Sequence, residues 1–232
     1  MSSHQVKLII SGEFALFSRP EFKVERVSYP VITPSAARGA LEAIFWKPEF
    51  RYQITRIGVV NMGSQTVLLR NELANRQGKD PVIIEEQRQQ RSSLMLKNVS
   101  YIVEATLHLQ PHATDPIQKY LACFQRRLER GQCHHTPYLG TRECAADFAP
   151  VDGVQVNESM NQNLGLMLFD LAFIPSNTRK DLEFHTHDGN GAKRTSGYAE
   201  ALYFNAALQN GWIEVPKTKY DELYKLEGRR VS

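Results

Sequence analysis

The chain has 232 residues, of which 42% are hydrophobic and 23% charged, with 28 Lys plus Arg against 25 Asp plus Glu for a net charge of +3. That is long enough for one large domain, or a medium domain with a small companion, and long enough to bury a core without disulfides or metals. Collagen, disordered tails and disulfide mini-proteins are excluded, and a pI near 8.7 permits a nucleic-acid partner without requiring one.

Residues 6–17, rich in β-branched and aromatic side chains and interrupted by Gly12, predict a first strand. After a loop with Pro20 and Pro30 comes the clearest helix start in the chain. Thr33 can cap, Pro34 suits the first helical position, and Ala37, Ala40, Leu41, Ile44 and Phe45 share one face until Pro48 stops the run. Residues 51–60 predict a ragged strand. Residues 71–93, polar and carrying Gly78, Pro81 and a Gln/Arg run, predict a mobile insertion with at most a short hairpin. Residues 99–109 alternate as a strand.

A second helix is predicted from Asp115-Pro116, a cap followed by proline. Ile117, Leu121, Phe124 and Leu128 form its apolar stripe, Lys119, Cys123, Arg126 and Arg130 fall on another face, and Gly131 ends it. A short strand within 137–150 completes the order β-α-β-β-α-β, the ferredoxin-like or RRM-like signature. Residues 164–174 predict a strongly apolar strand and 183–195 a polar loop. Residues 198–208 suit either a strand or a helix, and Asn210-Gly211 is the strongest short hairpin signal. The resulting expectation is an α+β fold, with a ferredoxin-like N-terminal domain over residues 1–152, a small antiparallel β-sheet C-terminal domain over 153–232, and a frayed basic tail at Arg229-Arg230.

The N-terminal apolar run is too short for a signal peptide, and no stretch approaches ~20 apolar residues, so a cytoplasmic protein without a membrane partner is expected. Cys123, Cys133 and Cys144 are odd in number and none forms a CxxC, which predicts reduced thiols. The pairs His134-His135 and His185-x-His187 have no acidic or Cys partner at ligand spacing, so they read as surface loops, with no metal or cofactor expected.

A ferredoxin-like sheet with aromatic and cationic side chains nearby is a common RNA platform. Such residues cluster at Phe45-Trp46-Lys47, closing the first helix, and at Lys119-Tyr120, opening the second. A lysine in the first turn of a helix sits where backbone N–H groups already favour an anion. The competing reading makes Phe45 a core residue and Lys119, Arg126 and Arg130 a solvated helix face. No Walker A, dinucleotide fingerprint, HExxH or GxSxG is present.

Several blocks sharpen this reading: Gly12-Glu-Phe-Ala-Leu-Phe17-Ser-Arg-Pro20, Lys23-Val-Glu-Arg-Val-Ser-Tyr29, Pro34-Ser-Ala-Ala-Arg38-Gly39 and Glu42-Ala-Ile-Phe-Trp-Lys-Pro48, followed by Gln90-Arg91, Leu139-Gly140-Thr-Arg142-Glu143-Cys144 and Asn210-Gly211. Their ordered combination resembles the type I-C CRISPR-associated endonuclease family (the Cas protein numbered five, subtype d, of the RAMP superfamily) over nearly the whole chain. The resemblance implies metal-independent cleavage of precursor CRISPR RNA at the base of a repeat hairpin. The substrate's own 2′-hydroxyl attacks, leaving a 2′,3′-cyclic phosphate, and the protein stays as a subunit of the surveillance complex. A family tyrosine–lysine–histidine set carries over to Phe45, Lys119 and Tyr120, so two of three positions depart from the pattern. Phe45 can only stack or pack, Tyr120 is a poor base at a reference pKa near 10, and Lys119 keeps the role of holding charge on the pentacoordinate phosphate. Tyr120 could supply the hydroxyl lost at Phe45, or His134 or His135 could act as base. Arg38, Trp46, Lys47, Arg126, Arg130, His134 and His135 are the expected RNA contacts. Two other functions compete: a non-catalytic subunit gripping the 5′ tag of CRISPR RNA, and a metal-dependent nonspecific nuclease with DNA as partner.

Overall fold

In a computed structural model, which describes residues 4–22, 24–73, 78, 81 and 83–228, two antiparallel sheets share one core. Strand β1 (Gln5–Ala15) pairs with the long β5 (Arg88–Leu109), from Gln5 opposite Thr106 to Ala15 opposite Leu96. The other side of β5 takes β3 (Phe50–Asn61) and then β4 (Ser64–Leu73). A short β6 (Asp147–Ala149) adds to β1, and β10 (Trp212–Glu214) adds to β3, giving the order β10-β3-β5-β1-β6. Helices α1 (Pro34–Ile44) and α3 (Ile117–Glu129) touch each other and pack on β3, β1 and β5. This element order and sheet order are compatible with a ferredoxin-like arrangement.

The local signals in α1 act as the sequence predicts. Pro34 is the first helical residue, and the Thr33 hydroxyl accepts from the Ala36 amide at 3.2 Å, a cap typically contributing ~1 kcal/mol. In α3 the predicted stripe is buried at Ile117, Phe124 and Leu128, Leu121 is half-buried and Tyr120 takes its place in the core, and Gly131 follows with φ +61. The cap is corrected by one residue: Pro116 occupies the N-cap with no side-chain bond to the helix amides, while Asp115 bonds Lys119 instead.

Within 71–93, expected as a mobile insertion with at most a short hairpin, the described residues 71–73 and 88–93 are strand. Strands β4 and β5 run paired from Ser64 opposite Lys97 out to Leu73 opposite Arg88, with a single helical turn α2 (Ile84–Gln87) before β5. Residues 99–109 are therefore the inner half of a 22-residue strand. Asn61 faces Ser100 and Ser64 faces Lys97, so β3 and β4 keep one register along β5 across the break at Met62-Gly63. Gly63 has φ +75, and a Cβ there would lie 2.3 Å from the Lys97 carbonyl oxygen, so the break requires glycine. The arm is braced by β2 (Arg26–Val27), which pairs with β5 at Ser93–Leu94, and by an Arg70–Glu143 ion pair. The polar composition that suggested a loop reflects a two-stranded ribbon whose two faces meet water along much of its length.

The second sheet is β7 (Gln162–Pro175), β9 (Gly191–Leu208) and β8 (Leu182–Asp188), in the order β7-β9-β8. Residues 183–195, expected as a polar loop, are the β8–β9 hairpin, paired from Leu182 opposite Gly197 to Asp188 opposite Gly191. Residues 198–208 resolve to strand. Asn210 (φ +49) and Gly211 (φ +78) make the predicted turn, closed by a Gln209–Trp212 bridge. The strand after the turn then crosses to β3 of the first sheet, with Trp212 opposite Gly58.

The sequence reading also missed α4 (Lys217–Leu226). At a register shift in β3 the Ile54 amide donates to the Tyr220 hydroxyl at 2.6 Å, while the Tyr220 ring stands edge-on to Phe169 of β7 at 4.7 Å. One residue thereby joins both sheets. The tail at Arg229 and Arg230, Lys23 and parts of the insertion lie outside the described residues. Among the described residues no helix is long and apolar enough to cross a membrane.

Candidate nucleic-acid interface

The end of α1 and its following residues lie along the flank of α3. The His134 and His135 amides both donate to the Ala43 carbonyl, at 2.8 and 3.3 Å. Arg127 donates to the Ile44 carbonyl at 2.7 Å and lies 5.2 Å over the Phe45 ring. The Tyr52 hydroxyl donates to the Phe45 carbonyl at 2.8 Å. These partners satisfy carbonyls that a helix end otherwise leaves open. Further along, the Lys47 ammonium sits 6.0 Å over the Tyr120 ring. The result is a seam running from His134 and His135 at one end to Lys47 and the start of α3 at the other.

The three transferred positions separate within this seam. Phe45 is 4% exposed, packed on Phe50 at 5.3 Å. Tyr120 is 2% exposed and tilted against Phe50 at 5.2 Å, with its hydroxyl buried near the Asp115 backbone. Burial, reinforced by the Glu49 and Asp115 carboxylates, raises the Tyr120 pKa, so the phenol stays protonated at neutral pH and is no base. Lys119, one residue earlier, points to solvent and pairs with Asp115 at 2.8 Å. That hydrogen bond, and then the carboxylate charge, raises its pKa, so the ammonium is retained. The amides in the first turn of α3 have no side-chain cap beside it.

The remaining expected contacts fall into four groups. Arg126, Arg130, His134 and His135 are exposed, with His134 and His135 edge-on to each other at 5.9 Å and His135 stacked on Tyr138 at 6.4 Å. Lys47 is exposed on the seam. Arg38 faces inward: its guanidinium donates to both Asp170 oxygens at 2.8 and 2.9 Å and to Glu42 at 2.8 Å. Burial opposes that charge, but Asp170 and Glu42 outweigh it and hold the Arg38 pKa above its usual value. This side chain ties α1 to β7.

Trp46 faces a cleft of about 250 Å³ between the end of α1 and the second sheet, where its ring meets His187 of β8 edge-on at 5.3 Å. His185 and Arg51 also line the cleft. The sequence reading passed over His187 because it assigned the residue to a loop, and over Arg127 because its neighbour Arg126 lay on the more polar face. The alternation of His185, Thr186 and His187 was the available signal. Among the described residues no group of three His, Cys, Asp or Glu side chains is placed to hold a metal ion.

Comparison with known proteins places this arrangement. A solved CRISPR-associated protein shares the fold with a TM-score of 0.63 and 21% identity, covering 94% of each chain. A Thermus thermophilus protein named CRISPR pre-crRNA endoribonuclease Cas5d is 58% identical over 96% of both chains. A Mannheimia succiniciproducens protein of the same name is 36% identical over 95% of this chain and 99% of its own. The family model described as CRISPR-associated protein (Cas5), subtype Cas5d, matches residues 6–216. The chain belongs to the Cas5d family.

Proposed function

We propose that this chain is an endoribonuclease of precursor CRISPR RNA. It would cut at the foot of a repeat hairpin by attack of the 2′-hydroxyl on the adjacent phosphate, without a metal, and remain bound to the product within a surveillance complex. The observation that carries the reading is Lys119: a solvent-facing ammonium in the uncapped first turn of α3, in a chain 58% identical to a named pre-crRNA endoribonuclease.

The chemistry follows from what the seam offers. The pentacoordinate phosphorane carries extra negative charge, which an ammonium and unpaired backbone amides stabilise more than they stabilise the ground state. Lys119 reaches that phosphate by exchanging its exposed Asp115 partner for it. The 2′-hydroxyl proton needs an acceptor and the 5′-oxygen a donor, each contributing roughly 10²–10⁴ in rate. Imidazole suits both, but the seam's exposed pair, His134 and His135, lies beyond the end of α3 away from Lys119, where it can contact the stem rather than the cleaved phosphate. Tyr120 and Phe45 act as the packed wall behind the lysine. Arg126, Arg130 and Lys47 are available to the phosphates of the stem.

The test is cleavage of a repeat hairpin in EDTA, with end-group analysis of the product. The wild type is expected to leave a 2′,3′-cyclic phosphate. Lys119→Ala is expected to slow cleavage by roughly 10² or more, and the double substitution of His134 and His135 by Ala to weaken hairpin binding with a smaller effect on the cut. Wild-type cleavage by Lys119→Ala refutes the site. A second reading, a subunit that grips the RNA 5′ tag without cutting, is favoured by Phe45 and Tyr120 both being shut away from solvent. Stable binding of a hairpin that stays intact would select it.

A further inference from the structure

We propose that the cleft between Trp46 and His187 is a nucleobase slot, which receives one unpaired base next to the hairpin while that nucleotide's phosphate stays outside on Lys47 and Lys119. The inference rests on the RNA reading above and adds to it a site with a different chemistry. At about 250 Å³ the cleft is below the ~300 Å³ at which drug-sized sites begin, so it suits a single planar ring system.

Its walls argue for a neutral occupant. Two guanidiniums, Arg38 and Arg51, face three carboxylates, Glu42, Asp170 and Glu227. Arg38 is bound by Asp170 and Glu42, and Arg51 donates to Glu227 at 2.9 Å. Fixed pairs with an excess of carboxylate repel a phosphate but leave donor and acceptor edges that suit a base. The aromatic surface supplies the affinity. Trp46 is 43% exposed although it lines a cleft. Its edge-on contact with His187 takes at most one ring face, leaving indole surface to stack.

Position connects the slot to the cleavage centre. Trp46 and Lys47 are neighbours in sequence, yet Trp46 lines the cleft while Lys47 lies over Tyr120. The Phe50 ring links the two, lining the cleft and packing on Tyr120 at 5.2 Å. The β8–β9 turn closes over the loop leading to α3, with a Cβ at Gly189 falling 3.6 Å from His112. A nucleotide astride this ridge has its base in the cleft and its phosphate by the lysines.

The chain has two tryptophans, and Trp212 lies under Arg56 on the far edge strand. Trp212→Phe leaves Trp46 as the reporter, and subtracting the signal of Trp46→Phe from that of the wild type gives the same quantity if that variant fails to fold. The probe is a repeat hairpin with single-stranded flanks, made uncleavable by a 2′-deoxy substitution at the cut. It is expected to quench and shift Trp46, and a blunt stem of the same sequence is not. Trp46→Leu is expected to weaken flanked-hairpin binding roughly 5- to 150-fold, with Trp46→Phe retaining most of the affinity. The salt dependence should stay unchanged for Trp46→Leu, whereas Lys47→Ala lowers the slope by about one. Tight binding with a silent Trp46, or equal affinity for Trp46→Leu and Trp46→Phe, overturns the slot while leaving the RNA reading intact. Failure of the wild type to bind any hairpin overturns both.

Discussion

Replacing Arg38 with Ala should destabilise the fold by about 2–3 kcal/mol. The side chain makes three charge-assisted bonds, two to Asp170 and one to Glu42. The Asp170 side chain is only 4% exposed, so truncation strands a buried carboxylate. Removing one partner of a buried pair typically costs about 3–5 kcal/mol. The lower figure applies because the guanidinium is 27% exposed, admitting water, and Asp170 keeps the Leu171 amide at 2.8 Å. In urea this shifts the midpoint by on the order of 1 M for an m value of ~2–3 kcal/mol/M. A double variant, Arg38→Met with Asp170→Leu, removes both charges and should recover much of the loss, giving a coupling above ~1 kcal/mol in the cycle. If Arg38→Ala unfolds at the wild-type midpoint, the guanidinium does not hold Asp170 in the folded state and the inward assignment is wrong.

Tyr120→Phe should cleave within a few-fold of wild type, because the phenol is buried and held protonated; a roughly 10²-fold slower cut would make the phenol catalytic. Burial, with Lys217 and His4 nearby, lowers the His108 pKa. The unfolded chain then binds the extra proton, so stability is complete above pH ~6.5 and falls as the pH drops below it. His108→Gln should flatten that limb in denaturant titrations between about pH 5 and 8, and an unchanged slope would refute the assignment. Gly63→Ala should cost ~1–3 kcal/mol from positive φ, and more from the Lys97 carbonyl in its path; thermal melting at the wild-type temperature would show that the break between β3 and β4 tolerates a side chain.

The sequence by itself determined what neighbouring residues decide among themselves. Thr33-Pro34 starts α1, the spacing of Ile117, Phe124 and Leu128 sets the buried face of α3, and Asn210-Gly211 makes a tight turn. Periodicity also placed Lys119, Arg126 and Arg130 on the face opposite that stripe, where they are exposed. Only the tertiary structure decided what each face meets. It sent the strand after Asn210-Gly211 to β3, paired residues 71–73 with 88–90 at the far end of the β4–β5 ladder, and turned Arg38 inward to Asp170. It buried Tyr120 beside an exposed Lys119 and brought Trp46 against His187. Local pattern reports which side of an element avoids water, because that is a property of consecutive residues. The partner on that side is set by chain closure over long separations, which no window of the sequence contains.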